Sequence, residues 1–419
     1  MRVLVLSSFP PEFGHFRAGQ TVLACLLENF AVYGIDVGVA IASNNKVTAA
    51  ARDRLSLSKI EILECNDFAL SAFDKSPRWL RRARYLASLF TRSEATHQHR
   101  FLQPHLAINQ IKAFGADVVL LFWDTCFELL LARMVEAGLR PFGYLARPPQ
   151  AAGLSTLPRI SNPVHRAFKS LYLNQAQTSH LRRLSHLRAA ANICALDTAW
   201  YTARGVKSEY VPNTWPDAYG DEWKSRRAKA QKRRTGLNIL ANIGGLNATG
   251  NLYGMEYLCN QIMPLFRKEP IGDWRINICG RFELPAHLRE LLADKRIYLH
   301  GFVDEIDEEM AGNHVFLLLN NAGPYTGGYT RVVYAFSSGA CLIAHRRLAE
   351  SMPELVHMEN CLLGETPEDI VGCLMEAAKD PNMRMRIGEN ARKTYEMIYA
   401  PQHVVQKLVS MMTDAGSQP

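Results

Sequence analysis

Short apolar segments that alternate with helix-like stretches constrain this chain more than any other feature of its sequence. Most combine leucine or alanine with β-branched residues over a length typical of a buried strand. In the first half these segments are residues 2–8, 35–43, 116–124, 142–147, 191–196 and 208–213. Because strands buried on both faces read as continuous apolar runs, this pattern predicts a parallel sheet with helices on both sides.

The same alternation starts again after a basic stretch, KSRRAKAQKRR at 224–234, which lacks apolar periodicity and is interpreted as exposed. The strand-like segments of the second half are residues 237–245, 274–281, 296–303, 314–321 and 340–345. We therefore predict an α/β chain of two Rossmann-like, doubly wound domains, residues 1–215 and 236–395, joined by a basic linker at 216–235. Ligands of such sheets bind beyond the carboxyl ends of the strands, so both domains are expected to face a cleft.

Composition excludes several classes of protein. The chain has 419 residues, of which 48% are hydrophobic and 21% charged, so each half can bury a core of its own. No apolar run reaches the roughly eighteen residues of a membrane span, and the first apolar run is too short for a signal peptide. Nine cysteines are scattered without a C-x-x-C pair, which argues against a disulfide framework or a zinc site. A reducing, cytoplasmic location is therefore expected.

The formal net charge of +8 is concentrated in a few segments. Residues 75–92, KSPRWLRRARYLASLFTR, carry six basic groups and no acid, and their apolar residues recur at spacings of three and four. Such a helix can lie on an anionic membrane surface at the inner face of the plasma membrane. A solvated basic face over ordinary core contacts is the alternative, and the sequence leaves both open. No aromatic-rich recognition motif accompanies the basic runs, so nucleic acid is not an expected partner.

A glycine-rich turn in the second half carries the best-marked ligand signal. In NNAGPYTGGYTRVVYAFSSGACLIAH, residues 320–345, Gly327 and Gly328 allow the backbone to turn tightly and to approach a ligand. Thr330 and Arg331 then open a helix, whose free N–H groups and dipole favour a phosphate. Arg331 can add charge-assisted hydrogen bonds to the same group. The alternative is a plain strand-to-helix turn whose glycines serve packing.

The order of motifs in the second half resembles the donor domain of GT-B glycosyltransferases, the group 1 or family 4-like enzymes. VPNTWPD at 211–217 is similar to the VPNG-type segment with which that family leaves its first domain. HGFVDEIDEEMAGNHVFLLLN at 300–320 and DPNMRMRIGENARKTYEMIYAP at 380–401 resemble its base-binding stretch and its closing helices. RVVYAFSSGACLI at 331–343 is close to the pattern of the spore-maturation-type branch. The resemblance implies a GT-B fold and a final helix, within 396–419, that crosses back to the first domain.

The resemblance implies a donor site in the second domain. Two glycines after its first strand and an arginine after the next would lie near the donor phosphates or sugar, and a Gly-Phe-Val loop would hold the nucleotide base. With the glycine-rich turn, the implied residues are Gly244, Gly245, Arg281, Gly301, Phe302, Val303, Thr326, Gly327, Gly328, Tyr329, Thr330, Arg331 and Tyr334. For Arg281, an ordinary surface arginine is the alternative.

Two of these positions depart from the family. Tyr334 stands where the family has a glutamate that contacts the donor ribose, and Thr326 replaces the partner glutamate eight residues earlier. A tyrosine donates one hydrogen bond but cannot accept two as a carboxylate does. The departure implies that the donor is held differently, that the nucleotide differs, or that the domain is inactive.

Candidate acceptor-side residues follow strands of the first half. His15 lies in the proline- and glycine-rich loop after the first strand, where an imidazole can act as a general base; a hydrogen bond to its own loop is the alternative. Asp124 ends another strand and can act as a base or as a helix N-cap. Gly14, Arg17 and Arg147 are candidate acceptor-binding residues, and Arg147 can meet an anionic acceptor or the diphosphate.

The function implied by the resemblance is that of a glycosyltransferase, of hexosyltransferase type. It would move a sugar from a nucleoside diphosphate-sugar to a glycan, a lipid-linked or a protein acceptor in bacterial surface polysaccharide or glycoconjugate synthesis. Helix N-termini and arginines can neutralise the leaving diphosphate, and no D-x-D follows a strand, so we expect neither a metal ion nor a cofactor. A sugar-nucleotide epimerase of the same fold and a non-catalytic GT-B binding module are the alternatives.

Overall fold

The computed structural model describes residues 1–14, 17–43, 45–65, 104–123, 127–148, 150–246, 248–280, 285–289, 291–323 and 327–414. The predicted basic helix at 75–92 and the candidate site residues His15, Asp124, Arg281 and Thr326 lie outside the described residues. The chain divides into two compact units. The first unit is Met1–Pro212 together with the residues from Pro401 onward, and the second unit is Asn213–Ala400.

The first unit, in its described part, is a seven-stranded parallel sheet in the order β3-β2-β1-β4-β5-β6-β7 with helices between the strands. Its strands are β1 Arg2–Ser7, β2 Asp36–Ile41, β3 Glu61–Glu64, β4 Val118–Phe122, β5 Pro141–Leu145, β6 Ala190–Asn192 and β7 Ser208–Tyr210. Its helices are α1 Ala18–Val32, α2 Ala49–Leu57, α3 Pro104–Phe114, α4 Leu131–Glu136, α5 Gln150–Ser155, α6 Pro163–Leu184, α7 Ala195–Thr202 and α17 Pro401–Asp414.

The core of the first unit lies around its central strands. The central strands β1, β4 and β5 are apolar along almost their whole length and are buried, as the continuous apolar runs predicted. β6 is shorter than the predicted strand at 191–196 because Cys194 caps α7: its Sγ accepts a hydrogen bond from the Asp197 N–H at 3.4 Å. α17 packs against α1 in this unit.

The second unit, as far as it is described, is a six-stranded parallel sheet in the order β10-β9-β8-β11-β12-β13. Its strands are β8 Leu237–Ile243, β9 Trp274–Cys279, β10 Ile297–Gly301, β11 Val315–Leu318, β12 Cys341–His345 and β13 Leu362–Gly364. Its helices are α8 Trp223–Gln231, α9 Thr249–Tyr257, α10 Met263–Phe266, α11 Ala286–Arg289, α12 Ile306–Gly312, α13 Tyr329–Ser337, α14 Arg347–Ser351, α15 Pro367–Lys379 and α16 Pro381–Thr394. The predicted fold class, two Rossmann-like α/β domains, is confirmed.

The basic stretch at 224–234 differs from its interpretation as an exposed linker. It forms α8, which belongs to the second unit and packs against α12. Arg227 is 8% exposed and donates hydrogen bonds to the carbonyl oxygens of Met310 and Asn313 at 3.2 and 3.1 Å. A guanidinium can satisfy the free carbonyl groups at a helix C-terminus, which is why an arginine is buried here without an apolar pattern around it.

Among the described residues, no helix is both long enough and apolar enough to cross a bilayer.

Candidate functional site

The second unit places its two glycine-rich turns side by side. In its sheet, β8 and β11 are neighbours at the centre. The chain continues from β8 to β9 on one side and from β11 to β12 on the other, so the direction of winding reverses between β8 and β11. The turn after β8 holds Gly244 and Gly245, and the loop after β11 leads to Gly327 and Gly328. Ligands of open α/β sheets bind at this point of reversal, because the loops on either side diverge and leave a crevice.

The carboxyl ends of strands β8, β9 and β10 lie close together. Gly244 has φ +104° and Gly280 has φ +139°, and a Cβ on Gly280 would lie 2.3 Å from the Gly244 carbonyl oxygen. The Gly280 N–H donates to the Gly301 carbonyl oxygen at 2.6 Å. Only glycine fits at position 280, so the backbones of the three turns lie against each other with no side chain between them. Sequence analysis included Gly244 and Gly301 but missed Gly280.

Buried asparagines tie the turn after β8 to the loop after β11. Asn251 on α9 donates through Nδ2 to the Gly245 carbonyl oxygen at 2.9 Å, and Asn320 donates to Asn251 Oδ1 at 3.0 Å. Asn242 donates to the Gly244 carbonyl oxygen at 2.7 Å. These side chains hold both turns in one arrangement. They were not singled out from the sequence, because single asparagines carry no pattern.

The glycine-rich turn before α13 has the geometry of a helix start. Gly328 is the N-cap residue, with φ +89°, a left-handed conformation that favours glycine. Asn321 fixes the turn by exchanging two hydrogen bonds of 2.9 Å with the backbone of Gly327. The backbone of Gly327 and Gly328 is thus held in place, as expected for a site that receives a ligand at a helix N-terminus.

The first residues of α13 have different surroundings. Thr330 accepts a hydrogen bond of 2.7 Å from Asn213 Nδ2, so the predicted VPN segment contacts the predicted turn. Arg331 Nη1 lies 3.5 Å from the carbonyl oxygen of Ile243, the last residue of β8. Tyr329 is buried, and its hydroxyl lies 3.3 Å from Ser351 Oγ, so its side chain belongs to the interior. Arg331 is therefore the charged side chain that reaches the point of reversal from α13.

Tyr334, which the resemblance to the family aligns with a glutamate, is engaged inside the second unit. Its hydroxyl donates a hydrogen bond of 2.5 Å to Asp307 Oδ1, and its ring packs on Trp215 with centroids 5.4 Å apart. Burial, with Tyr219 and Asp307 nearby, raises the pKa of Tyr334 well above its ordinary value. The carboxylate at this place therefore comes from α12, and the tyrosine stays a neutral donor to it.

The predicted base-binding loop follows β10. Gly301 has φ +68°, Phe302 is 40% exposed, and Val303 is half-buried. Gly301 joins the other turns through its hydrogen bond from Gly280. The exposed ring of Phe302 is the apolar surface that this loop offers.

In the first unit, the loop after β1 is held against α1. Gly14 has φ +136°, and its carbonyl oxygen accepts a hydrogen bond from the Thr21 hydroxyl. Glu12 donates its N–H to the Gln20 carbonyl oxygen at 3.2 Å. Arg17 is the exposed N-cap residue of α1. The described residues Glu12 and Gly14 of this loop are thus hydrogen-bonded to α1.

Several buried polar atoms lie at the end of strands β1, β4 and β6 of the first unit or in the segments that follow, and have no hydrogen-bond partner among the described residues. They are Gln20 Oε1, Trp123 Nε1, Asn192 Nδ2 and Asp197 Oδ2. Buried polar atoms without a partner are rare in native proteins and point to a water or a ligand. Sequence analysis missed all four, because burial and missing partners cannot be read from residue type.

Two of these residues have further distinguishing features. Trp123 has φ +44°, a conformation that is strained for a bulky residue and is typical of functional sites. Its ring stacks on Phe122 with centroids 4.9 Å apart. Asp197 lies in the first turn of α7, and burial raises the pKa of its carboxyl group while the charge of Arg147 opposes the rise. The predicted Arg147 and the unpredicted Asp197 are therefore electrostatic neighbours.

Comparison with known proteins agrees with this geometry. Residues 238–380 match the family model described as glycosyl transferases group 1. The solved structure of HepE from Anabaena with UDP-glucose has a TM-score of 0.61 to this chain at 12% identity, covering 99% of this chain and 100% of that chain.

The chain has the GT-B fold.

Other GT-B structures are similar to the same extent. A glycosyltransferase from Rickettsia africae has a TM-score of 0.63 at 10% identity, over 100% of this chain and 99% of that chain. WaaG, a glycosyltransferase of lipopolysaccharide biosynthesis, has a TM-score of 0.60 at 15% identity, over 98% and 99%. At these identities the likeness establishes the GT-B fold. A search of curated proteins finds no significant match. The resemblance to group 1 enzymes is confirmed for residues 238–380, and the spore-maturation-type branch stays a prediction.

Proposed function

We propose that this protein is a glycosyltransferase that moves a sugar from a nucleoside diphosphate-sugar to an acceptor hydroxyl. One observation carries the proposal: the glycine turns at Gly244 and Gly328 lie together at the strand reversal of a domain that matches group 1 glycosyl transferases, with Arg331 reaching the same place. Backbone N–H groups, a helix N-terminus and a guanidinium are the groups that bind a diphosphate.

The donor is held in this proposal by groups of the second unit. The N-terminus of α13 and Arg331 neutralise the diphosphate as it leaves, which lowers the energy of the transition state. Asp307 supplies the carboxylate for the ribose that the family glutamate supplies elsewhere, with Tyr334 orienting it through the hydrogen bond of 2.5 Å. HepE, of similar fold, was solved with UDP-glucose, which favours a hexose donor.

The acceptor in this proposal binds at the unpartnered polar atoms of the first unit. Two of them are donors, Trp123 Nε1 and Asn192 Nδ2, and two are acceptors, Gln20 Oε1 and Asp197 Oδ2. A hydroxyl both donates and accepts hydrogen bonds, so a polyhydroxylated ligand satisfies both kinds, directly or through ordered water. A glycan acceptor, as in surface polysaccharide or glycoconjugate synthesis, has this chemistry. His15, Asp124, Arg17 and Arg147 remain candidates on this side.

The experiment is an incubation of the full chain with a panel of nucleotide sugars, with and without glycan acceptors, followed by chromatography of nucleotides and sugars. The proposal expects nucleoside diphosphate release that depends on the acceptor. Conversion of one nucleotide sugar into another without an acceptor would identify an epimerase instead. Tight nucleotide binding with no turnover across the panel would identify a binding module and would overturn the proposal.

A further inference from the structure

A cavity of about 180 Å³ lies on one face of strands β8, β9 and β10. It is lined by Arg234, Asn238, Arg275, Asn277, Tyr298 and His300. Asn238, Arg275 and Tyr298 are each the second residue of their strand. The cavity therefore reaches the amino-terminal half of the sheet, whereas the glycine turns lie at its carboxyl ends.

Strand alternation explains why this face is polar. Ile239, Ile276, Ile278 and Ile297 point to the opposite face and belong to the buried core. The intervening positions on β9 and β10 carry arginine, asparagine, tyrosine and histidine, which are the cavity residues. β10 is the edge strand of this sheet, and Tyr298 and His300 are exposed. A polar sheet face is thus left open at the edge.

Buried amides build the floor of the cavity. His300 Nε2 lies 2.8 Å from Asn277 Oδ1, and Asn277 Nδ2 donates to Asn313 Oδ1 at 2.7 Å. Asn277 is 4% exposed and Asn313 is 1% exposed. Because an amide oxygen only accepts, His300 Nε2 carries the proton. The network holds the imidazole in one orientation before any ligand arrives.

The charges of the lining are unbalanced. Arg234 forms an ion pair of 2.8 Å with Glu309, but Arg275 has no acidic partner among the described residues. The half-buried Arg275 lies with its guanidinium carbon 5.6 Å from the centre of the Tyr298 ring. No acidic residue is among the lining residues. The positive charge of Arg275, partly removed from water and without an acidic partner, favours an anion.

We propose that this cavity binds a small phosphomonoester, at a site separate from the diphosphate site at the glycine turns. A guanidinium presents a fork of N–H donors that matches two phosphate oxygens, and this fork is free of an acid at Arg275. Asn238, which is 3% exposed, turns its amide to the backbone, with Nδ2 donating to the Thr235 carbonyl oxygen at 2.8 Å, and the Tyr298 and His300 rings, 6.3 Å apart and 27° from parallel, add a flat aromatic wall. The small volume admits a phosphate with a short organic group rather than a polymer.

The test is isothermal titration calorimetry of the full chain with inorganic phosphate and with glycerol 3-phosphate. A parallel series contains saturating UDP. UDP then occupies the site at the glycine turns, so that phosphate binding at that site is not measured. Arg275→Gln is expected to weaken phosphate binding about tenfold or more, the effect of losing a charged hydrogen bond. Arg386→Gln, the same charge change on an exposed part of α16, is the matched control and is expected to bind as the original chain does.

Unchanged affinity in Arg275→Gln, or no phosphate binding by the original chain, would overturn the proposal. Tyr298→Ala is a second variant, expected to weaken glycerol 3-phosphate more than inorganic phosphate because the wall contacts the organic group. Vesicles with phosphatidic acid, compared with phosphatidylcholine alone, distinguish a lipid headgroup from a free phosphomonoester. Binding of either source supports the site if Arg275→Gln abolishes it. Failure of sugar transfer leaves this test intact, because its readout does not require turnover.

Discussion

The Tyr334 hydroxyl donates a hydrogen bond of 2.5 Å to the carboxylate of Asp307, which joins α13 to the start of α12. The Tyr219 hydroxyl donates to the Asp307 backbone carbonyl at 2.9 Å, so two tyrosines hold this one residue. The sequence comparison with the family suggested a missing carboxylate at position 334. In the structure the carboxylate of Asp307, which belongs to α12, lies at the hydroxyl of Tyr334.

Tyr334→Phe is expected to lower the free energy of unfolding by about 1.5–3 kcal/mol, because a buried hydrogen bond to a charged group is lost. Urea denaturation followed by circular dichroism measures the change. Tyr298→Phe is the matched control: its exposed hydroxyl has no hydrogen bond among the described residues, so a change within about 0.5 kcal/mol is expected. Equal effects of the two changes would contradict the importance of the Asp307 contact.

Arg331→Ala is expected to weaken nucleoside diphosphate binding by about 1.5–3 kcal/mol, since a charge-assisted hydrogen bond to the diphosphate is removed. Equilibrium binding of UDP and of other nucleoside diphosphates measures it. Arg386→Ala removes a charge from the same unit on an exposed helix and is expected to leave binding unchanged. If both variants bind alike, Arg331 does not contact the diphosphate.

Asp197→Asn is expected to lower kcat/KM for the acceptor about tenfold or more, while the dissociation constant for the donor stays unchanged. The physical reason is the loss of an acceptor oxygen for a substrate hydroxyl at Asp197 Oδ2, which the amide replaces with an N–H donor. Steady-state kinetics at varied acceptor concentration, with donor binding measured separately, gives both quantities. A parallel loss of donor affinity would show that the residue maintains the fold rather than the acceptor site.

The ion pair between Asp217 and Arg392 predicts a pH dependence of stability. Arg392 is almost fully buried and contacts Asp217 Oδ2 at 2.6 Å. Burial raises the pKa of Asp217, but the hydrogen bonds from Arg392 and from two backbone N–H groups outweigh it and leave the pKa below its ordinary value. In the unfolded chain the Asp217 carboxyl group titrates near pH 3.9. In the folded chain its pKa is lower, so the carboxylate is still charged at that pH. The contribution is therefore complete above that pH and lost as pH falls through the lower, folded value.

Asp217→Asn is expected to lower the free energy of unfolding by roughly 2–3 kcal/mol at pH 7, and this difference should shrink as pH falls below about 4. Denaturation curves at a series of pH values measure it. Asp304→Asn, on an exposed residue without a hydrogen bond among the described residues, should show no such trend. A difference for Asp217→Asn that stays constant with pH would exclude the ion pair as its source.

Local patterns were sufficient for the longer strands and for the glycine turns. Continuous apolar runs such as β4 and β12 are buried on both faces. Burial on both faces favours an apolar residue at nearly every position of the run, so the strand can be recognised from the sequence. The short strands β3 at Glu61–Glu64 and β13 at Leu362–Gly364 were missed, because three or four residues hold too little pattern. The helix α6 at Pro163–Leu184 was missed as well, since few of its residues are buried.

The sequence by itself determined the two α/β domains and the turns that a ligand would approach, because both depend on residues that are neighbours in the chain. Only the tertiary structure decided which distant residues meet. Asp307 and Tyr334, Asn251 and Asn320, and Arg331 and Ile243 are paired by the order of strands in the sheet. The burial of Arg227 and the unpartnered Oδ2 of Asp197 depend in the same way on what packs around them. Such contacts produce no periodic pattern in the sequence, because each joins two single residues that are far apart in the chain.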